Sequence, residues 1–149
     1  MPVQLVEVDA NKLGNQPVWW TDLQKIYSEA EPLRRTLFDQ ELDAQGFIDQ
    51  ALQADNNCFA AALFNDHLIG AVLLSRLPDE WQLRHLCVRS VTRRRGVGSQ
   101  LMALVAAQAQ QKAVRLCVPN ENLTHADQVL VRRLGYFLDE KQNCYFLNI

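Results

Sequence analysis

Apolar residues recur along the chain in two rhythms: short continuous or alternating runs, and longer stretches at helical spacing. The run from Val3 to Val8 predicts an opening strand. Leu23, Ile26, Tyr27 and Ala30 follow at helical spacing, and Thr21 with Gln24 three residues later has the form of a capping box, so a helix is predicted from Thr21 that ends before Pro32. Phe47, Ile48, Ala51 and Leu52 predict a second helix over Asp43 to Ala54. Cys58 to Phe64 and Leu68 to Leu74 are apolar runs joined by the turn Asn65-Asp66-His67, a hairpin pattern, and Trp81 to Val88 reads as a third central strand. Val97, Leu101, Leu104 and Val105 form the core face of a long helix over Gly96 to Lys112, with a buried strand, Val114 to Val118, directly after it. Thr124 caps a helix that runs to Leu134, and Gly135 stands at its expected stop. Phe137 to Leu138 and Cys144 to Leu147 flank a polar turn and predict a closing hairpin. The resulting order is strand, helix, helix, three antiparallel strands, helix, strand, helix, strand, strand. It is an α/β layout: one domain with a mixed central sheet flanked by helices.

Composition sharpens this reading only by exclusion. The 149 residues are enough for one hydrophobic core, and 48% apolar with 21% charged residues is a globular balance. The formal charge of -2 gives no general attraction to nucleic acid or to a membrane surface, so any anion site has to be local. The first residues lack a basic segment followed by an apolar run, and no apolar stretch approaches the roughly 20 residues that span a bilayer. A cytoplasmic location is expected. Cys58, Cys87, Cys117 and Cys144 sit in apolar runs without C-x-x-C spacing and read as buried free thiols; no metal site is expected.

One segment calls for chemistry. Leu86-Cys87-Val88 ends a strand, and Arg93-Arg94-Arg95-Gly96-Val97-Gly98-Ser99 opens a helix. Glycine in a helix costs roughly 1 kcal/mol relative to alanine, and a cation at a helix N-terminus opposes the helix dipole. Both features make sense where a strong anion sits on the free N–H groups of the first turn. A pyrophosphate fits, held by backbone N–H groups and arginine forks. A solvated basic turn is the competing reading of three arginines in a row. The glycines, and the strand before and helix after, favour the anion site. No Gly-Lys-Ser/Thr follows, which excludes a Walker A loop, and the first glycine of the dinucleotide fingerprint is missing.

Arg93-Arg94-Arg95-Gly96-Val97-Gly98 resembles the acyl-CoA signature of the GNAT N-acetyltransferase superfamily, Arg/Gln-x-x-Gly-x-Gly/Ala after a central strand, and the element order matches along nearly the whole chain. The resemblance implies a GNAT fold that binds acetyl-CoA. It also implies a cofactor site made of the strand end Leu86, Cys87 and Val88, with the main chain of Leu86 and Val88 bonding the pantetheine arm. The segment from Arg93 to Ser99 would hold the pyrophosphate, and Asn120 or Asn122 would approach from the far side. Thr21-Asp22-Leu23-Gln24-Lys25-Ile26-Tyr27, Ala61-Ala62-Leu63-Phe64-Asn65-Asp66 and Val91-Thr92-Arg93-Arg94-Arg95-Gly96-Val97-Gly98 resemble the PanM/PanZ family more closely. Its members are acetyl-CoA sensors that bind the aspartate 1-decarboxylase proenzyme and promote its self-cleavage. Asn65 retains a partner-contact position of that family. Leu63 stands where an arginine is expected and Ser90 where a glutamate is. Extra residues lie between about Glu31 and Asn57.

Acetyl transfer to an amine needs a base for the amine and benefits from an acid for the leaving thiolate. The superfamily's usual acid, a tyrosine four residues before the glycine that ends the last helix, falls on Val131. The stretch from Trp81 to Val88 has no carboxylate, and His85 is its one candidate base, against the commoner structural role of a strand histidine. Arg34 and Arg35 lie where such proteins often build the acceptor pocket; they serve an acidic substrate or form an exposed helix end. The expected function, by superfamily membership, is an N-acetyltransferase of an unknown amine; the alternative is a non-catalytic acetyl-CoA sensor that acts on a protein partner such as the aspartate 1-decarboxylase proenzyme.

Overall fold

The computed structural model describes residues 2–148. In chain order its elements are β1 (Gln4–Val8), α1 (Ala10–Asn15), α2 (Pro17–Ser28), β2 (Thr36–Leu37), β3 (Gln40–Glu41), α3 (Ala44–Ala51), β4 (Asn57–Phe64), β5 (His67–Arg76), β6 (Glu80–Val88), α4 (Val97–Lys112), β7 (Arg115–Pro119), α5 (His125–Arg133), β8 (Phe137–Asp139) and β9 (Cys144–Leu147). Short 3-10 turns occupy Pro32–Arg35 and Ser90–Thr92. Seven strands form one sheet in the order β1-β4-β5-β6-β7-β9-β8, and β2 with β3 make a separate small hairpin. All neighbours in the large sheet are antiparallel except β6 and β7. The parallel pair follows from the connection: α4 carries the chain back along the sheet before β7 starts.

Helices cover both faces of the sheet, which is why β4 and β5 read as continuous apolar runs rather than as alternation. Ala60, Ala62, Val72, Leu74 and Leu83 point to one face and pack with Val97, Leu101, Met102 and Val105 of α4 and Val131 of α5. Phe59, Ala61, Ala71, Leu73 and Cys87 point to the other and pack with Leu23, Ile26 and Tyr27 of α2 and Phe47 and Ile48 of α3. Tyr27, Phe47 and Phe59 form a ring cluster with centroids 4.7 to 6.0 Å apart. No helix of the described residues is long and apolar enough to cross a membrane. Cys58, Cys87 and Cys117 are buried, Cys144 is half-buried, and all are free thiols.

Several boundaries differ from the sequence reading. Thr21 does not start a helix: α2 begins at Pro17, with Gln16 at the cap. Proline at the first helical position has the required φ and lacks only an N–H that would be unpaired anyway, so its signal outweighs the Thr21–Gln24 pattern. Asp22, 3% exposed, instead turns inward to accept hydrogen bonds from the Leu68 N–H at 3.0 Å and from His67 Nδ1. The short helix α1 was not expected; it is capped by Asp9, which accepts from Lys12 N at 2.9 Å, and it buries only Leu13, too little to print a period. Helix α3 stops at Ala51 rather than Ala54, with Asp43 as its cap. Gly96 precedes α4 in a left-handed conformation, φ 76°, and is a cap rather than a helical residue. The final helix keeps the predicted cap: Thr124 and Asp127 form a reciprocal capping box.

Candidate functional site

The site grows out of an irregularity in β6. Ala71 of β5 pairs with Cys87 while Leu73 pairs with Arg84, so the single residue Val72 faces both His85 and Leu86. This is a β-bulge, and His85 takes it up with φ 59°, a left-handed value that non-glycine residues seldom adopt. The conformation is held from outside. Tyr27 Oη donates to the His85 carbonyl at 2.6 Å, and the imidazole packs edge-on against Phe47, with centroids 4.9 Å apart. A bulge bends its strand, and β6 accordingly stays with β7 only from Glu80 to Gln82, opposite Arg115 to Cys117. From Leu83 onward the two strands part and leave a slot through the sheet.

A cavity opens on each side of that slot. On the α4–α5 face a narrow one is lined by Val72, Leu83, Met102, Val118, Leu130 and Val131. On the other face a cavity of about 340 Å³ lies beneath the β2–β3 hairpin, lined by Leu37, Phe38, Asp39 and Gln82 among others. Arg84, His85, Leu86, Leu123 and Asp127 line both. The same short stretch of β6 thus separates a narrow apolar cavity between two helices from a larger, more polar chamber.

The loop before α4 leads into the helix that lines the narrow cavity through Met102. Arg93, Arg94, Arg95 and Gly96 are exposed. Arg94 and Gly96 are both left-handed, at φ 67° and 76°, and no side chain caps the helix. The main-chain N–H groups of an uncapped first turn are free to donate to an anion. A Cβ added at Gly96 would meet nothing within 4 Å, whereas one at Gly98 would reach Val88, Leu86 and Leu130 at 3.7 to 4.0 Å. The open side of Gly96 therefore faces away from the protein, and Gly98 faces the channel. Gly98 thus lies against Leu86 and Val88, where the first turn of α4 meets the splayed end of β6.

Glu29, which the sequence did not single out, fixes this loop. Its carboxylate accepts from Arg89 Nε at 2.9 Å, Arg89 Nη2 at 3.1 Å and the Ser90 N–H at 3.0 Å. The Arg89 hydrogen bond pulls its pKa down to about 2. Glu29 closes α2, sixty residues from Arg89, so only the fold brings the pair together.

The expected residues divide between the slot and elsewhere. Arg34 reaches the slot: Nη1 donates to the Leu86 carbonyl at 2.5 Å, and the guanidinium pairs with Asp127 at 3.1 Å. Arg35 does not. It donates to the carbonyls of Leu42 and Ala30 and so clasps the segment between them. Asn122, at φ 68°, lines the larger cavity, whereas the Asn120 side chain is spent on Asn143 and Gln128. The Cys87 thiol points away from the channel, toward the Ile26 carbonyl at 3.4 Å, and burial raises its pKa. Asn65 occupies the left-handed β4–β5 turn, with φ 50°, and lines neither cavity.

Among the described residues, each candidate proton carrier near the slot is constrained by its surroundings. Burial, with the charge of Arg84 behind it, holds the His85 pKa down to about 4, so the imidazole is neutral and weakly basic at pH 7. Val131 is buried and carries no proton. β6 does hold a carboxylate, since the strand begins at Glu80 rather than Trp81, but Glu80 pairs with Arg115 at 3.3 Å and lines neither cavity. Asp127 is bound by Arg34 and by its helix cap. Tyr136 is buried, its hydroxyl without a partner, and burial pushes its pKa up.

A mixed sheet splayed at its parallel pair, with a long helix following the splayed strand, is the GNAT architecture, and solved structures of that superfamily superpose on it. A GNAT family acetyltransferase from Elizabethkingia anophelis with acetyl-CoA bound matches with a TM-score of 0.68 and 15% identity over 99% of this chain and 98% of its own. A GNAT family protein from Desulfovibrio desulfuricans matches with a TM-score of 0.69 and 15% identity over 99% of both chains. YhhK of Escherichia coli, bound to coenzyme A, matches with a TM-score of 0.63 and 24% identity over the full length of both. Within this superfamily the chain belongs to the family described as the acetyltransferase (GNAT) domain, PanZ, which matches residues 8–134. The PanD regulatory factor of Escherichia coli K12 is 39% identical over 82 residues, 54% of this chain and 51% of that protein; the match spans about half the relative's length.

Proposed function

We propose that this chain binds acetyl-CoA between α4, α5 and the splayed end of β6, and uses that binding to regulate a partner protein, an aspartate 1-decarboxylase proenzyme, rather than to acetylate an amine. One observation carries the reading. The slot offers groups that can hold a thioester and none that readily moves a proton, since His85 is held near pKa 4 and Val131 fills the position of the usual acid. Residues 93–99 would take the pyrophosphate on main-chain N–H groups and arginine forks. The main chain of Leu86 and Val88 would bond the arm. Membership of the PanZ family supports the choice, and the name of the Escherichia coli relative supplies the partner.

Arg34 gives the site a means of signalling. It holds the Leu86 carbonyl from the far side of the slot and anchors the segment from Pro32 to Leu42. An arm that needs this carbonyl displaces Arg34 and loosens that segment on the opposite face. Differential binding of this kind shifts a surface from a distance. The test mixes purified chain with the proenzyme, with and without acetyl-CoA or CoA, and reads complex formation and chain cleavage. Acetyl-CoA is expected to increase both. No effect of acetyl-CoA on either would overturn the regulatory reading.

The five residues that line both cavities favour a second reading, an N-acetyltransferase whose amine waits beneath the β2–β3 hairpin. Release of thiol from acetyl-CoA with a panel of amines separates the two. Amine-dependent turnover well above thioester hydrolysis would establish the transferase.

A further inference from the structure

Arg84, at the floor of the larger cavity, has no carboxylate partner among the described residues. Gln82 and Arg84 leave β6 on the same face as their cross-strand partners Ser75 and Leu73, and both line the cavity below Leu37, Phe38 and Asp39. The Arg84 guanidinium donates to one neutral oxygen, Ser75 Oγ, at 3.2 Å. Its Nε is buried without a partner. The other partly buried arginines are differently placed. Arg34 has Asp127, Arg76 has Glu7, Arg89 has Glu29 and Arg115 has Glu80. Arg35, whose Nε is also buried without a partner, lacks a carboxylate too, but it donates to two carbonyls and lines neither cavity. Burial pulls the Arg84 pKa down, the mark of a cation that has lost water and gained no anion. An unpaired buried charge is costly, and a bound anion would offset the cost.

The rim has the opposite sign. Asp39 and Glu121 line the cavity from exposed loops, and neither forms an ion pair among the described residues. Asp127 also lines it but is bound by Arg34. The chamber is therefore cationic at its floor and anionic at its mouth, and its volume of about 340 Å³ admits a small molecule.

We propose that this cavity is a small-molecule site for a free amino acid, with the carboxylate on Arg84 and the ammonium toward Asp39 and Glu121. The site is separate from the anion cradle and is tested without acetyl-CoA. If acetyl-CoA binds and amino acids do not, this inference alone fails; the reverse result would sink only the acetyl-CoA reading.

The experiment titrates the chain with the common free amino acids, their amides and the corresponding decarboxylated amines, and follows the Arg84 Nε–H and His85 ring resonances by NMR. A double Arg93→Ala, Arg95→Ala variant is run in parallel to remove anion binding at the cradle. At least one amino acid is expected to give saturable shifts in both proteins. Its amide and its amine are expected to bind roughly tenfold more weakly or worse, from the loss of one charge-assisted contact. Arg84→Gln is expected to weaken the acid by a similar factor and Arg84→Lys to keep part of the affinity. Amides that bind as well as acids, an unchanged Arg84→Gln variant, or no amino acid binding at tens of millimolar would each overturn the proposal. If Arg84→Gln fails to fold, the acid-against-amide comparison on the unaltered chain decides.

Discussion

Gly98→Ala should make the protein more stable and its acetyl-CoA binding weaker, and the opposite signs make it a sharp test of where the pantetheine arm runs. Gly98 lies in the first turn of α4. A Cβ built there would sit 3.7 Å from a Val88 methyl, 3.8 Å from Leu86 and 4.0 Å from Leu130, which are ordinary contact distances. Nothing has to move in the free protein. Replacing a helical glycine by alanine where the backbone allows it stabilises by roughly 0.5 to 1 kcal/mol. For a domain of this size that raises Tm by roughly 1 to 4 °C. The same methyl narrows the channel between β6 and α5 beside the two strand residues assigned to the arm. Crowding a fitted ligand by one methyl costs roughly 1 to 3 kcal/mol, so affinity should fall about five- to hundredfold. Thermal unfolding of the free chain and calorimetry with acetyl-CoA read the two effects separately. A higher Tm with unchanged affinity would refute the path past Gly98. A lower Tm would show that the site is already full. Gly96→Ala is the control: φ 76° makes any side chain there strained by roughly 1 kcal/mol, although its Cβ would meet nothing within 4 Å.

Asp22→Ala leaves the buried Leu68 N–H without an acceptor and should cost about 2 to 3 kcal/mol in chemical denaturation; a loss under 0.5 kcal/mol would mean that water replaces the carboxylate. Glu29→Gln should loosen the loop that carries the anion cradle, lower stability at pH 7 by about 1 kcal/mol and weaken acetyl-CoA. The folded Glu29 pKa of about 2 lies below its ordinary 4.5, so its contribution is full above pH 4.5 and fades as pH falls toward 2. The stability gap between Glu29→Gln and the unaltered chain should therefore narrow between pH 5 and 3; a gap independent of pH would refute the clamp. His85 works in the other direction. Its folded pKa of about 4 lies below the ordinary 6.5, so the folded state binds fewer protons in that window and loses stability as pH falls from 6.5 toward 4. His85→Gln should flatten that limb in urea titrations, and an NMR titration of His85 with a midpoint above 6 would contradict the burial argument.

The layout of the sheet was legible because covered strands and amphipathic helices print their own periods. Val97, Leu101 and Val105 face the core as their spacing predicts, and the Thr124 cap is where its hydroxyl and the following Asp127 require. The segment from Arg93 to Gly98 stood out because arginines and glycines at a helix start are unfavourable without a ligand, and its role as an anion site rests on the proposal above. Three things were not legible. Thr21–Gln24 had the right letters for a cap but stood inside a helix that Pro17 had already begun. The bulge at His85 leaves no mark on a run of apolar and polar residues, since it depends on Tyr27 and Phe47 pressing from another element. The pairs Glu29–Arg89 and Arg34–Asp127 join residues sixty and ninety-three positions apart, and charge spacing along the chain says nothing of them.

The bulge also explains why a histidine at the centre of the slot does not argue for catalysis. Position 85 is asked for a conformation before it is asked for chemistry. A left-handed residue is needed there to turn β6 away from β7, and histidine is among the side chains that tolerate it better than most. Phe47 takes the ring and Tyr27 takes the carbonyl, so the surroundings sustain the strain and also strip the imidazole of water. The contacts that open the slot are the ones that depress the pKa. A histidine placed this way builds the opening through which a thioester would be held, and the same placement weakens it as a base for the amine.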